Sequence, residues 1–206
     1  MRNLRKGIFC GEITTTERLC ALSDGVYAIV ITLMVLDLKI PETSGLSEAQ
    51  LVTELVEQAP NFLAYLASFC VVALLWMRNH WILKSLKECD EMTFWINFMH
   101  LLFLALTPYT ASLLGHYPQD PLAVILFSGC LGLASLFLLL LHRHVISKSE
   151  WHQEGTTWEW TNPIWWRTYP PPFFAVGSIL VSFINVQAAV ALWLLLPAWA
   201  FIVPHR

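Results

Sequence analysis

Long apolar stretches alternate with short polar ones along the chain, and this pattern predicts membrane-spanning helices. A helix needs about 20 residues to cross the hydrocarbon layer of a membrane. The last apolar region, residues 172–203, is too long for one crossing, and Asn185 and Gln187 near its middle indicate a division into two short helices. The predicted spans are residues 20–38, 61–83, 93–114, 121–141, 172–185 and 187–203. The sequence therefore predicts an all-α membrane protein with six transmembrane helices in a single domain over residues 1–206.

The connections between these spans contain further local signals. The segment SEAQLVTELVEQ, which begins at Ser47, has the apolar spacing of a short amphipathic helix with Ser47 as its N-cap. Residues 142–171 are expected to form a longer polar loop rich in Trp. Pro108 is expected to bend the third span, because proline lacks a backbone N–H group.

Composition supports the membrane interpretation and argues against other classes of protein. The chain is 56% hydrophobic and 13% charged, whereas about 25% of the residues in a typical soluble domain are charged. The five cysteines are scattered, so we interpret them as small apolar residues. The HRH sequence at residues 142–144 has no further ligand cluster near it, so we interpret it as ordinary basic flanking residues. The H-E-x-x-H and G-x-S-x-G motifs are absent. We expect no enzyme activity, no metal or other cofactor, and no nucleic-acid partner.

The distribution of basic residues predicts the orientation. Of the 12 Lys and Arg residues, only Lys39 falls on the side opposite the N-terminus. Basic residues favour the cytoplasmic side of a membrane, so we expect a multi-pass cell-membrane protein with both termini in the cytoplasm. The opposite side is acidic, which either concentrates cations near a pore or merely reflects exposed polar loops; its acidic residues are Glu42, Glu48, Glu54, Glu57 and Asp120.

The first span carries polar groups where a simple membrane anchor would have none. Ser23 and Asp24 lie near its predicted start, and Thr32 lies in its middle. An ionisable residue inside a membrane is costly and by default faces protein or water. The alternative is that Ser23 and Asp24 only cap the helix N-terminus. Arg18 is six residues before Asp24, within reach of an ion pair.

The same segment resembles the first-helix signature of the transmembrane protein 175 family of potassium channels, of the single-repeat, prokaryotic type. The family pattern is R-x-x-x-F-S-D-G, followed by an apolar run that ends in an acidic residue and Pro. This chain has RLCALSDG from Arg18 to Gly25, with Leu22 at the aromatic position, and continues to Pro41. The sequences WMRNH, with Trp76 and His80, and INFMHLLFLALTPYT, with Asn97, are also similar to the family.

The resemblance implies a homotetramer in which the first helices surround a central pore. Neither the family nor this sequence has a T-V-G-Y-G filter loop. By resemblance, Ile29, Leu33 and Leu36 form the constriction, and Thr32 forms a polar layer that affects ion selectivity. The resemblance also implies a motif network that braces the first helix, formed by Arg18, Ser23, Asp24, Gly25, Trp76, His80 and Asn97.

Helix geometry is compatible with this constriction but does not select it. Residues 29, 33 and 36 share one face of a helix, and a ring of such side chains can gate a pore by dewetting. However, the first span is apolar on nearly every side. An apolar stripe of this kind is more often a packing surface.

The function predicted from these features is passive, leak-type conduction of potassium and other monovalent cations. The expected partners are further copies of the chain and membrane lipid, and potassium is the permeant ion. The alternative is a proton- or ion-coupled secondary transporter in which Asp24 and His100 titrate. The sequence has no inverted repeat of the kind found in many transporters.

Overall fold

The computed structural model describes residues 16–38, 47–148 and 170–202, and these residues are almost entirely helical. The predicted loop at 142–171 lies largely outside the described residues, as do Lys39, Pro41 and Glu42. The described elements are α1 (Thr16–Leu33), a 3₁₀ helix (Met34–Asp37), α2 (Glu48–Glu57), α3 (Ala59–Lys84), α4 (Glu91–Ala105), α5 (Thr107–His116), α6 (Pro121–Ile146), α7 (Pro170–Ser182) and α8 (Val186–Ile202).

Several of these helices have the length and composition of membrane spans. Within the described part of the chain, three stretches meet both requirements: Thr16–Leu36, Glu91–His116 and Pro121–Ile146. Pro171–Ser182 is a shorter apolar helix. These findings support a membrane protein, while the six-span count and the tetramer stay predictions.

The start of α1 rules out capping as the role of Ser23 and Asp24. The helix already includes Thr16, so both residues lie two turns inside it. A cap must flank the first turn, where backbone N–H groups have no partner within the helix. The side chains of Ser23 and Asp24 therefore have other partners, which are described below.

Local signals in the sequence explain where several helices begin and end. Ser47 caps α2 in a capping box with Gln50, as predicted from the sequence. The helical stretch that includes α4 and α5 is interrupted at Leu106, next to Pro108 in the first turn of α5. The side chain of Asn185 accepts a hydrogen bond from the N–H of Ala188 and so caps α8 after the turn that follows α7.

Helix α6 packs against α4 on one side and α7 on another, and Gly132 allows the close approach to α7. A Cβ atom at Gly132 would lie 2.6 Å from the Cβ of Ala175. Small residues at such crossings let the two backbones pack tightly, which is the main source of helix association in a membrane.

Replacing Gly132 with alanine is expected to destabilise the fold. The added methyl group has to push α7 away, and overpacking of this kind typically costs about 1–3 kcal/mol. Thermal unfolding in detergent measures the loss. Gly129→Ala on the same helix is the matched control, because a Cβ there meets no atom within 4 Å. Equal melting temperatures for the two variants would contradict the close contact.

A carboxylate links the start of α4 to the end of α6. Asp90 caps α4 by accepting hydrogen bonds from the backbone N–H and the hydroxyl of Thr93, at 2.8 and 2.6 Å. The Nε2 atom of His144 lies 2.9 and 3.0 Å from the two carboxylate oxygens. The prediction that the histidines of the HRH sequence are ordinary flanking residues is therefore wrong. His144 binds Asp90 and is half-buried against it, and His142 is buried.

This environment changes the ionisation of Asp90. Burial alone would raise its pKa, but the hydrogen bonds from Thr93 and the contact with His144 outweigh burial and hold the pKa below its usual value of 3.8. A carboxyl group with a lowered pKa in the folded state stabilises the fold when it is ionised. This contribution is present above the unfolded pKa and is lost as the pH falls through the lower, folded value.

We expect Asp90→Ala to lower the unfolding free energy by about 1–2 kcal/mol near neutral pH, the usual cost of losing a cap. The gap between wild type and variant is expected to narrow as the pH falls from about 4 through the lower, folded pKa, until the carboxyl group is protonated in both states. Melting temperatures in detergent across this range measure the effect. Asp120→Ala, which removes the cap of α6, is the control without a histidine contact. A gap that stays constant with pH would contradict the assignment.

Candidate pore helix and its polar network

Helix α1 has one face buried in the subunit and one face left open. The buried positions are Leu19, Ser23, Tyr27 and Val30, followed by Met34 in the 3₁₀ helix. Their spacing of three or four residues is that of a single helix face. This face carries two polar side chains, so it is held by hydrogen bonds as well as by packing.

The predicted constriction residues all lie on the open face. Ile29, Leu33 and Leu36 are 59%, 44% and 73% exposed, respectively. Leu22 is exposed on the same side, two turns nearer the start of the helix. The subunit alone therefore leaves this apolar stripe free to meet lipid, another copy of the chain or a pore.

A stripe of small residues runs beside the large ones on the open face. Ala21, Gly25, Ala28 and Thr32 are all exposed and recur at helical spacing. A Cβ atom at Gly25 would meet no atom within 4 Å. Small residues at such positions are typical of helices that pack closely against other helices in a membrane. The open face thus has room for close approach by a neighbouring helix.

The hydroxyl group of Thr32 has a fixed orientation. Its Oγ1 atom donates to the backbone oxygens of Ala28 and Ile29, at 2.8 and 3.0 Å. The one hydroxyl hydrogen is therefore used within the helix, and the lone pairs of the oxygen remain as acceptors. Because Thr32 is exposed, it presents an acceptor rather than a donor to whatever faces α1, which suits a cation.

The structure brings Asp24 together with Trp76 and His80, as the resemblance implied. The Nε1 atom of Trp76 donates to Oδ1 of Asp24 at 2.8 Å. The Nδ1 atom of His80 lies 3.5 Å from the same oxygen, and the rings of Trp76 and His80 are 5.8 Å apart. The carboxylate on α1 is thereby bound to α3. Arg18 and Gly25 lie on the exposed side of α1.

A second, fully buried cluster joins three helices. Asn97 on α4 donates to Oγ of Ser23 at 3.0 Å and accepts from Nδ2 of Asn79 on α3 at 2.7 Å. Ser23 in turn donates to the backbone oxygen of Leu19. All three polar side chains are nearly inaccessible to solvent. This network brings Ser23 and Asn97 together as implied, and it adds Asn79.

Two members of these clusters were missed from the sequence. Asn79 stands between Arg78 and His80 in the sequence WMRNH, and its position beside the motif residue His80 was the available signal. Tyr27 lies within the apolar run of the first span, and its hydroxyl group lies 2.6 Å from Nε2 of His100. His100, named above only as a titrating group of the alternative transporter, is thus part of a hydrogen bond between helices.

A cavity of about 660 Å³ opens between the start of α1 and the end of α3. Asp24 and His80 face it from the motif network, and Lys84 and Lys87 border it from α3 and the following turn. Charged groups of both signs therefore line the approach to the first turns of α1. Among the described residues there is no group of three or more His, Cys, Asp or Glu side chains that could hold a metal ion.

The sequence is similar to a known family over the helices that form this site. The family described as "Endosomal/lysosomal potassium channel TMEM175" matches residues 18–108. A potassium channel of Chamaesiphon minutus is 34% identical over 121 residues, which are 57% of this chain and 60% of the relative. A potassium channel of a Chryseobacterium species is 41% identical over 112 residues, 53% of this chain and 55% of the relative.

Animal relatives and a solved structure extend the comparison. The endosomal/lysosomal proton channel TMEM175 of Bos taurus is 34% identical over 155 residues, which cover 71% of this chain but 32% of the relative. The crystal structure of a lysosomal potassium-selective channel TMEM175 homolog from Chamaesiphon minutus superimposes with a TM-score of 0.77 at 26% identity, covering 91% of this chain and 97% of that one. The matched part of this chain spans somewhat more than half the length of the two bacterial relatives.

Proposed function

Because the chain belongs to the TMEM175 family of channels, we propose that it forms a passive, potassium-permeable cation channel. Bacterial relatives carry the name potassium channel, and the crystal structure of a potassium-selective homolog has the same fold over nearly the whole chain. The position of the pore, its constriction on α1 and the homotetramer are parts of this proposal.

The observation that carries the proposal is the open face of α1. On this face Ile29, Leu33 and Leu36 lie beside a stripe of small residues, and such stripes are enriched where helices pack against each other in a membrane. In a tetramer with four copies of α1 around one axis, each of the two stripes has a place. Ala21, Gly25 and Ala28 let neighbouring helices approach, whereas the large residues, with Thr32 at the edge of the small stripe, face the axis and narrow it.

Conduction through such a pore depends on partial dehydration of the ion. A ring of apolar side chains excludes water and therefore resists the passage of a hydrated cation. Thr32 lies on the same face, and its oxygen is available as an acceptor, so it replaces part of the lost hydration. Without a cage of backbone carbonyl groups, we expect selectivity for potassium over sodium to be moderate.

The polar clusters on the opposite face hold the helix in place. The helices of one subunit gain no hydrophobic stabilisation from each other within lipid, so hydrogen bonds and close packing determine their arrangement. The bonds of Asp24 to α3 and of Ser23 to α4 thus fix α1 at its cytoplasmic half. We propose that both termini lie in the cytoplasm of a cell-membrane protein, in keeping with the placement of Lys and Arg.

Proton permeation is the second candidate, because the animal relatives are named proton channels. A coupled transporter is the remaining alternative from the sequence. Passive conduction differs from coupled transport in that currents reverse at the equilibrium potential of the permeant ion. A proton pathway differs from a potassium pathway in its response to a pH gradient without potassium.

Purified protein in liposomes tests the proposal. Potassium-driven, sodium-driven and proton-driven fluxes are compared in the same vesicles, and the oligomer mass is measured in detergent. We expect potassium flux to exceed sodium flux and the mass to be that of a tetramer. A monomer, or vesicles without cation flux, would contradict the channel assignment, and flux with a fixed coupling ratio would favour the transporter.

A further inference from the structure

A chain of hydrogen bonds crosses the bundle from α1 to α6. The hydroxyl group of Tyr27 lies 2.6 Å from Nε2 of His100 on α4, and Nδ1 of His100 lies 2.7 Å from the backbone oxygen of Ala134 on α6. Tyr27 is 1% exposed and His100 is fully buried. Three helices are thus connected at one level by groups that have no access to water.

The carbonyl group sets the direction of these bonds. A backbone oxygen only accepts, so Nδ1 of His100 carries the hydrogen and donates to Ala134. In the neutral ring, Nε2 then has only a lone pair, and the Tyr27 hydroxyl group donates to it. Each polar atom of the two side chains has a defined partner, so the ring of Tyr27 is held in one position.

Tyr27 lies opposite the predicted constriction. Successive residues of an α-helix are separated by about 100°, so Tyr27 and Ile29 project about 200° apart. A rotation of α1 that moved Tyr27 away from His100 would carry Ile29 away from the axis by the same angle. The Tyr27–His100 bond therefore constrains the direction in which the constriction points.

The hydrogen bond between Ser23 and Asn97 constrains the rotation of α1 in the same direction. Ser23 bonds Asn97 one turn earlier on α1, and the partners on α4 are also one turn apart. Two contacts in register along parallel helices fix both rotation and translation. Of the two, Tyr27 is nearer to Ile29 and Leu33, and Phe would fill the same space without the bond.

We propose that Tyr27 and His100 are positioning residues that set the rotation of α1 and thereby the ion selectivity of the pore, an inference that depends on the proposed channel function. Neither side chain touches the permeating ion. They act through the helix, by keeping Ile29, Leu33 and Thr32 directed at the axis.

The variant Tyr27→Phe tests this role through selectivity. We expect the potassium-over-sodium permeability ratio of reconstituted protein to fall by about threefold, the range of effect seen for residues that couple to a site without touching it. Ser178→Ala is the matched control, because Ser178 also makes buried interhelical hydrogen bonds, but with α6 and α8 rather than α1. It is expected to lower the melting temperature and leave the ratio unchanged.

Two histidine variants separate positioning from packing. In His100→Gln, the side-chain oxygen reaches the place of Nε2 and still accepts from Tyr27, so we expect a ratio close to that of wild type. In His100→Asn, the amide nitrogen replaces only Nδ1, so the bond to Tyr27 is lost. We therefore expect the same lowered potassium-over-sodium permeability ratio as in Tyr27→Phe. Equal ratios for the two histidine variants, or a wild-type ratio for Tyr27→Phe, would overturn the inference. Wild-type vesicles that pass no cations would instead refute the channel itself.

Discussion

Replacing Ile29 with asparagine is expected to raise the conductance of the reconstituted protein and to reduce its preference for potassium. The side chain is exposed on the open face of α1, where we place the narrowest apolar ring. An amide group there binds water and lowers the cost of bringing a hydrated cation into the ring. An increase of about tenfold corresponds to a barrier lower by about 1.4 kcal/mol, a modest change for wetting a pore. Single-channel recording measures conductance and the permeability ratio together.

Leu180→Asn is the matched control for this prediction. Leu180 lies on α7 and is 63% exposed, close to the value for Ile29, but nothing places it near a pore. We expect the control to alter neither conductance nor selectivity. If Ile29→Asn conducts as the wild type does, then this face of α1 meets lipid or protein, and the proposed pore lies elsewhere.

The second large effect is expected for Asn97→Leu. Asn97 is the only described residue whose side chain bonds both Ser23 on α1 and Asn79 on α3. Leucine has the same branched shape and number of side-chain heavy atoms, but it leaves the amide of Asn79 without its acceptor in a buried site. Such a loss typically costs about 1–3 kcal/mol. Since the same bonds hold α1 in position, we expect a lower melting temperature and a smaller fraction of tetramer in detergent.

A buried serine without an interhelical bond provides the comparison. Ser135 on α6 is as buried as Ser23, but its hydroxyl group donates to Leu131 within its own helix. Ser135→Ala is expected to change stability little and to leave assembly intact. If Asn97→Leu assembles and melts as this control does, the buried cluster is not what holds α1.

Much of the helical framework could be predicted from the sequence, because its signals are local. Ser47 is followed by Gln50 at the spacing of a capping box, and α2 begins there. Proline at 108 marks the interruption between α4 and α5. Asn185 interrupts the last apolar region, and its side chain caps the next helix. Each of these features depends on residues within one turn of each other.

The site could not be predicted in the same way. Helix α1 is apolar on nearly all sides, so its periodicity does not distinguish the face that packs from the face that remains open. That choice is made by Ser23 and Tyr27, whose partners Asn97 and His100 lie more than 70 residues away. The resemblance to a family supplied the motif residues. It did not supply Asn79 or the Tyr27–His100 bond, because these are contacts between spans.

The change from α-helix to 3₁₀ helix at Leu33 determines the length of the proposed barrier. Side chains three residues apart eclipse in a 3₁₀ helix, so Leu33 and Leu36 project in nearly the same direction at the end of the segment. From Ile29 to Leu36 the rise is about 12 Å, against about 30 Å for the hydrocarbon layer. We expect water to fill the rest of such a pore, since only this segment is proposed to narrow it. The membrane voltage therefore falls almost entirely across these two turns, and an ion gains or loses nearly all of its electrical energy there.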